Sequence, residues 1–181
     1  MKHFLESSEQ CPLSKSIIDL ANAIDGESFY FILQLLKWIN KNIKYPQPAN
    51  IEKNDIFRKR TATQIIEDGH ATGCSDYAIV FIAIARAKHI PTKYVEVISK
   101  DYFEDTDLNR VRGHVFAECF IDKEWFGIDP MAGVIKFNTK YPGYVVYAKG
   151  LDSWDLGIFD IDSMRVKFKE FANQYKSKHI S

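Results

Sequence analysis

The sequence predicts an α+β fold in which helices come first and a mostly antiparallel sheet follows. Three observations carry this. Apolar residues in the first half recur at helical spacing, and the second half breaks into short alternating segments with turn residues between them. Between the two lies Tyr77 to Ala85, a run that is apolar nearly all round. A helix there must be buried by other elements, so it belongs packed on the sheet with the N-terminal helices around it.

Taken in order, a weak helix is expected at Leu13 to Ala23. An amphipathic one follows at Ser28 to Lys44, with Phe29, Ile32, Leu36, Ile39 and Ile43 on one stripe. Tyr45-Pro46-Gln47-Pro48 stops it, because proline lacks the amide proton and restricts the residue before it. A short helix at Ala62 to Glu67 closes on Gly69. The buried helix runs from about Ser75 to Lys88, and its N-terminus begins at Cys74. Lys93 to Ile98 reads as a strand and Asp101 to Arg112 as a polar loop. His114 to Ile121 and Glu124 to Ile128 read as two strands around Asp122-Lys123. Val134 to Phe137 and Tyr144 to Ala148 are further strand candidates, and Met164 to Tyr175 is a last helix, with Lys176 to Ser181 expected to fray. With no repeat and no Pro/Gly/Ser-rich linker, residues 1–181 read as a single domain.

Composition narrows the function classes. The 181 residues are 46% hydrophobic and 27% charged, a globular rather than a disordered balance. Acids and bases match at 24 each, which argues against a nucleic-acid or anionic-membrane surface. Met1 to Gln10 lacks the apolar core of a signal peptide, and the longest apolar run is far below the roughly 18 residues of a spanning helix, so the expected location is cytoplasmic. Three cysteines, Cys11, Cys74 and Cys119, do not make a disulfide framework and leave at least one thiol free.

The chemistry centres on Cys74, His114 and Asp129. A free thiol, with a pKa of about 8.5, is only a few per cent thiolate at neutral pH. Two devices raise that fraction: a helix N-terminus, where Cys74 stands just after Ala71-Thr72-Gly73, and an imidazole partner, which His114 supplies. If Asp122-Lys123 is a two-residue turn, Ile121 faces Glu124 and Phe116 faces Asp129. His114, Phe116, Trp125 and Asp129 then share one face. His114 and Asp129 become diagonal neighbours, so the carboxylate can accept the imidazole N–H and fix its tautomer. Asp-Lys is a weak turn pair, and a turn one residue longer would break this parity.

Four ordered blocks carry a family resemblance: Gly73-Cys74-Ser75-Asp76-Tyr77-Ala78, His89-Ile90-Pro91, Gly113-His114-Val115-Phe116-Ala117-Glu118 and Trp125-Phe126-Gly127-Ile128-Asp129-Pro130. Together they resemble the transglutaminase-like superfamily over about residues 61 to 130, plus the preceding helix through Trp38-Ile39 to Ile43-Lys44-Tyr45. The resemblance implies a papain-like α+β fold and acyl transfer through a thioester. It makes Cys74 the nucleophile, His114 the general base and Asp129 the orienting acid. It departs from the family pattern at Thr72, where Gly often precedes the cysteine by two, at Phe116, where Trp commonly follows the histidine, and at His89 in place of the Gly before Ile-Pro.

Around these three, Gln64 is a candidate second oxyanion donor and Asp76 a polar contact in the site, or else a first-turn acid complementing the helix dipole. Phe116 and Trp125 share the His114 face, and Tyr102, Phe103, Arg110 and Arg112 lie on the loop that leads to it; all are substrate-contact candidates. Cys119 alternates onto the opposite face and reads as core, Cys11 has no assigned role, and His70 reads as a solvent-facing loop residue. A metal site built from His70, Cys74, His114 and Cys119 is disfavoured because His114 and Cys119 point to opposite faces. No cofactor or metal is implied. The Gly150 to Gly157 stretch, with Trp154 and Asp155, has no readable role.

The function expected from these residues is cysteine-dependent acyl transfer on a peptide or glutamine amide, foremost hydrolysis, with a peptide or protein as the partner. Two alternatives stand beside it: protein-glutamine cross-linking by amine transfer, and a non-catalytic peptide-binding module on the same scaffold.

Overall fold

Most helices start or stop where the sequence supplies a reason. In the computed structural model, which describes residues 2–179, α1 (Lys15–Ala23) is capped by the Ser14 hydroxyl, which accepts from the Ile17 amide. Helix α2 (Ser28–Asn42) buries Phe31, Ile32, Leu35, Leu36 and Ile39. A single turn, α3 (Lys53–Ile56), was not foreseen. Helix α4 (Ala62–Asp68) opens on a reciprocal capping box between Thr61 and Gln64 and closes on Gly69 at φ 68°, a left-handed conformation that glycine adopts without steric cost. Helix α5 (Cys74–Ala87) is buried from Ser75 to Arg86, as its uniform apolarity demands.

Five strands follow: β1 (Thr92–Ser99), β2 (Gly113–Ile121), β3 (Glu124–Asp129), β4 (Val134–Lys136) and β5 (Tyr144–Gly150). They form one antiparallel sheet in the order β4-β3-β2-β1-β5. The α+β class and the placement of a buried helix on an antiparallel sheet are as the sequence predicts. Helix α5 lies against β1 and β2, with α1, α2 and α4 packed around it. Val115, Ala117, Cys119 and Ile121 face that core, while Val95, Val97, Phe116 and Tyr141 form a small cluster on the other face.

The β2–β3 register is the one a two-residue turn dictates: Ile121 pairs with Glu124 and Ala117 with Ile128. Asp122 and Lys123 adopt φ values of 49° and 71°, so an unlikely residue pair makes a mirror-image turn whose twist suits a hairpin.

Two expectations are corrected. The polar loop at Asp101 to Arg112 begins as a helix, α6 (Lys100–Glu104), whose Tyr102 and Phe103 are buried. They join Ile98, Met164 and Phe168 in a second core beneath α7 (Ile161–His179). Helix α7 continues without fraying through Lys176 to His179; Ile180 and Ser181 lie outside the described residues.

Candidate active site

Cys74 owes its place to the segment before it. After α4 closes at Gly69, residues 70–73 turn the chain into α5. The buried Asp76 carboxylate holds that segment: its Oδ2 accepts from the Thr72 amide at 2.8 Å, the Thr72 hydroxyl at 2.9 Å and an Arg60 guanidinium nitrogen at 2.7 Å. Arg60 also reaches the His70 carbonyl at 3.1 Å. A first-turn acid thus locks the loop that delivers the thiol, and a buried cation offsets its charge.

Cys74 is the partly exposed cysteine of the three. Burial pushes the Cys11 and Cys119 thiols up to about 12, which makes both inert at neutral pH. The Cys74 side chain lies close enough to that of His114 to influence its charge. On its far side the imidazole Nε2 meets Asp129 Oδ2 at 2.8 Å. Asp129 is fixed in turn by the Ala132 amide, which donates to Oδ1 at 3.1 Å. The His114 ring packs edge-on against Phe116, centroids 4.7 Å apart. Partial burial works against charge on His114. The contacts with Asp129 and Cys74 together outweigh it, and the imidazole is raised to about 10. For Asp129 burial disfavours the anion, but the His114 contact wins and holds the carboxyl below its ordinary value. Asp129 thus favours the protonated form of His114.

Cys74 opens onto a cleft of about 520 Å³ walled by residues 53–58 on one side and by residues 109–113 and the start of α7 on another. Beneath it lies a buried network absent from the sequence reading. Arg58 grips Glu96 with two nitrogens at 2.8 Å each, and also donates to Tyr94 and Ser153 hydroxyls at 3.0 Å. Tyr94 donates to Glu96 at 2.9 Å and lies 3.3 Å from the Ser75 hydroxyl, next to the thiol. Burial opposes the Arg58 charge, but Glu96 outweighs it and leaves the guanidinium above its ordinary pKa. The Gly150–Gly157 stretch now has a role: Trp154 donates to the Arg58 carbonyl at 2.6 Å, and Asp152 accepts from the Gln10 amide at 3.2 Å. A carboxylate flanked by apolar residues within a strand, Glu96 between Val95 and Val97, is the signal that could have revealed this pair.

The structure brings Cys74, His114 and Asp129 together and disperses the other candidates. Gln64 is exposed, its side-chain oxygen accepts from the Thr61 amide in the helix cap, and it does not line the Cys74 cleft. Asp76 is sealed behind the thiol. Tyr102 is core, its hydroxyl given to the Leu108 carbonyl at 2.8 Å. Phe116 is buried behind the imidazole rather than in the cleft. Trp125 shares the His114 face but sits at the far end of β3 against Phe120. Of the loop candidates, Arg110 lines the cleft, Phe103 is core and Arg112 pairs with Asp105 at 3.1 Å. His70, expected in solvent, is buried against Arg60.

A model of the transglutaminase-like superfamily matches residues 18–130, which include all three clustered side chains. The chain belongs to the transglutaminase-like superfamily. Among curated proteins none matches it. Among solved structures, this transglutaminase-like chain is similar to a protein of Cytophaga hutchinsonii named "putative cysteine protease", with a TM-score of 0.63 and 23% identity over 86% of this chain. The likeness covers 48% of that protein, so the chain spans about half its length, and at this identity what is shared is the fold. Membership supports a cysteine-dependent enzyme. No helix among the described residues is long and apolar enough to cross a membrane.

Proposed function

We propose that this protein is a thiol enzyme that hydrolyses an amide of a peptide or protein substrate through a Cys74 thioester. The observation that carries the reading is His114 held between Asp129, at 2.8 Å, and a Cys74 that heads a buried helix at the wall of a cleft.

In the first half-reaction the Cys74 sulfur attacks the carbonyl carbon and a C–S bond forms. The backbone N–H of Cys74, at the helix N-terminus, stabilises the developing oxyanion. His114 gives its proton to the departing nitrogen as the C–N bond breaks, leaving the thioester. Water then attacks; His114 takes a proton from it, the C–S bond breaks, and the proton returns to the Cys74–His114 pair. Asp129 keeps the imidazole in the tautomer that can do both.

The test needs no known substrate. Cys74 is alkylated with iodoacetamide at pH 6 in wild type and in His114→Ala, with the modified peptides read by mass spectrometry. The reading expects Cys74 to react far faster than Cys11 or Cys119, and to slow sharply without the imidazole. Equal reactivity of the three, or indifference to the His114 change, would leave a binding module that kept the residues without their chemistry. Peptide amides offered with and without an added primary amine then separate hydrolysis from cross-linking.

A further inference from the structure

Charge is unevenly spread over this molecule. The chain balances 24 basic residues against 24 acidic ones. The cleft beside Cys74 does not balance: Lys53, Arg58, Arg110 and Arg165 line it, against a single carboxylate, Glu96. Glu96 is fully engaged, since both its oxygens are held by Arg58 at 2.8 Å and the pair is buried. Arg58 and Glu96 cancel, and three cations remain from three separate segments: α3, the approach to β2, and α7. The acids that interact with Arg165 and Arg110 stand outside the lining. Asp162 meets Arg165 at 3.0 Å, but the two side chains are 81% and 48% exposed, and such pairs contribute little in water. Asp105 feels the Arg110 charge, but its own ion pair is with Arg112 at 3.1 Å. A concave site with one sign of charge and partly apolar walls focuses the field on whatever enters it. Apolar walls are present in Phe57 and Met164.

We propose, resting on Cys74 as the nucleophile, that the cleft selects acyl donors carrying a carboxylate close to the reacting carbonyl, with Lys53, Arg110 and Arg165 the specificity-determining side chains. The carboxylate can come from an acidic side chain within a peptide or from the free C-terminus of a short one. Both offer a delocalised anion that the guanidinium groups of Arg110 and Arg165 can bind in a forked geometry and the Lys53 ammonium as a point charge.

Two reagents that differ mainly in charge test the field directly. Iodoacetate is anionic and iodoacetamide neutral, and both alkylate a thiol with the same leaving group. The ratio of their rates at Cys74 is measured at low and high salt in wild type and in a Lys53→Gln, Arg110→Gln, Arg165→Gln triple variant. All three side chains are exposed, so the fold tolerates the changes; Lys53→Glu alone is the second variant. The ratio is expected to fall about threefold or more in the triple variant, and the salt dependence to shrink with it.

Peptides then identify the source of the carboxylate. Each centres on glutamine, with both ends blocked and glutamate, glutamine or lysine flanking it, and a fourth is neutral but has a free C-terminus. All are scored for protecting Cys74 from iodoacetamide. Preferential protection by the glutamate-flanked peptide, lost in the triple variant, supports a side-chain carboxylate. The same pattern for the free C-terminus supports an α-carboxylate. A rate ratio unchanged in the triple variant, protection by no peptide, or best protection by the lysine-flanked one overturns the proposal. Failure of the catalytic reading is distinguishable: Cys74 would then be slow and indifferent to His114→Ala, while the reagent ratio would still report the field.

Discussion

At one end of the β2–β3 hairpin, His114 and Asp129 meet at 2.8 Å with Cys74 beyond them. At the other end, on the same face, Trp125 packs on Phe120 and Phe4 with Lys93 over its ring at 3.4 Å. Both ends obey the same register and the same alternation of side chains. What separates them is distance along the strand: four residues, or about 13 Å at strand spacing, from Trp125 to Asp129. Parity says which face a side chain takes. The neighbour across the strand end decides its surroundings: the helix that begins at Cys74 at one end, the N-terminal aromatic turn at the other.

Substitutions at the two ends should therefore separate cleanly. The largest effect is expected from His114→Ala, which should lower the rate of amide cleavage by about 10³-fold or more, since acid and base catalysis vanish together. Cleavage within tenfold of wild type would break the contrast. Asp129→Asn comes next and acts through pH. In the proposed mechanism His114 carries a proton to release the amine, so activity should fall as pH rises through about 10, the raised value of the imidazole. The hydrogen bond to the Asp129 carboxylate helps raise it. Its loss should move the alkaline limb to lower pH as well as reduce the rate, and a limb that stays in place would deny Asp129 its part. Trp125→Ala at the far end should cost about 1–2 kcal/mol in chemical unfolding through lost packing and cation–π contact, with cleavage kinetics unchanged. Altered kinetics there would mean the two ends are coupled. The smallest effect is expected from Lys123→Gly. Lys123 sits at φ 71°, where glycine is unstrained, so stability should rise by about 1 kcal/mol with no change in activity.

Much of this hairpin was legible in the sequence because its determinants are local. A two-residue turn and an alternating pattern leave one register, and that register puts His114 and Asp129 on one face. The start of α5 at Cys74 was legible because a run apolar on all sides has to be a buried element. The opposite wall of the cleft was not, because its parts are scattered: Lys53 and Arg58, Arg110 and Arg165 meet only in the folded chain. Helix α6 was hidden by its length of five residues, too short for a helical period to declare itself. Tyr102 and Phe103 therefore looked like loop aromatics until α7 covered them. Gln64 carried a local cue of its own: Thr-x-x-Gln before an apolar position is a helix-capping signature, and its side-chain oxygen caps α4 away from the Cys74 cleft.

The Arg58 network has a consequence in time as well as in space. It joins Arg58 to Glu96 and to Ser153, and the Ser153 amide in turn donates to the Gln10 side-chain oxygen, 143 positions away. Contacts this far apart in sequence close late, because the entropy of the intervening loop must be lost first. On the ribosome, Cys74 emerges long before Ser153 does. The floor of the cleft cannot be laid until Ser153 has emerged, so a nascent chain for a time carries the Cys74 thiol without the frame that supports it.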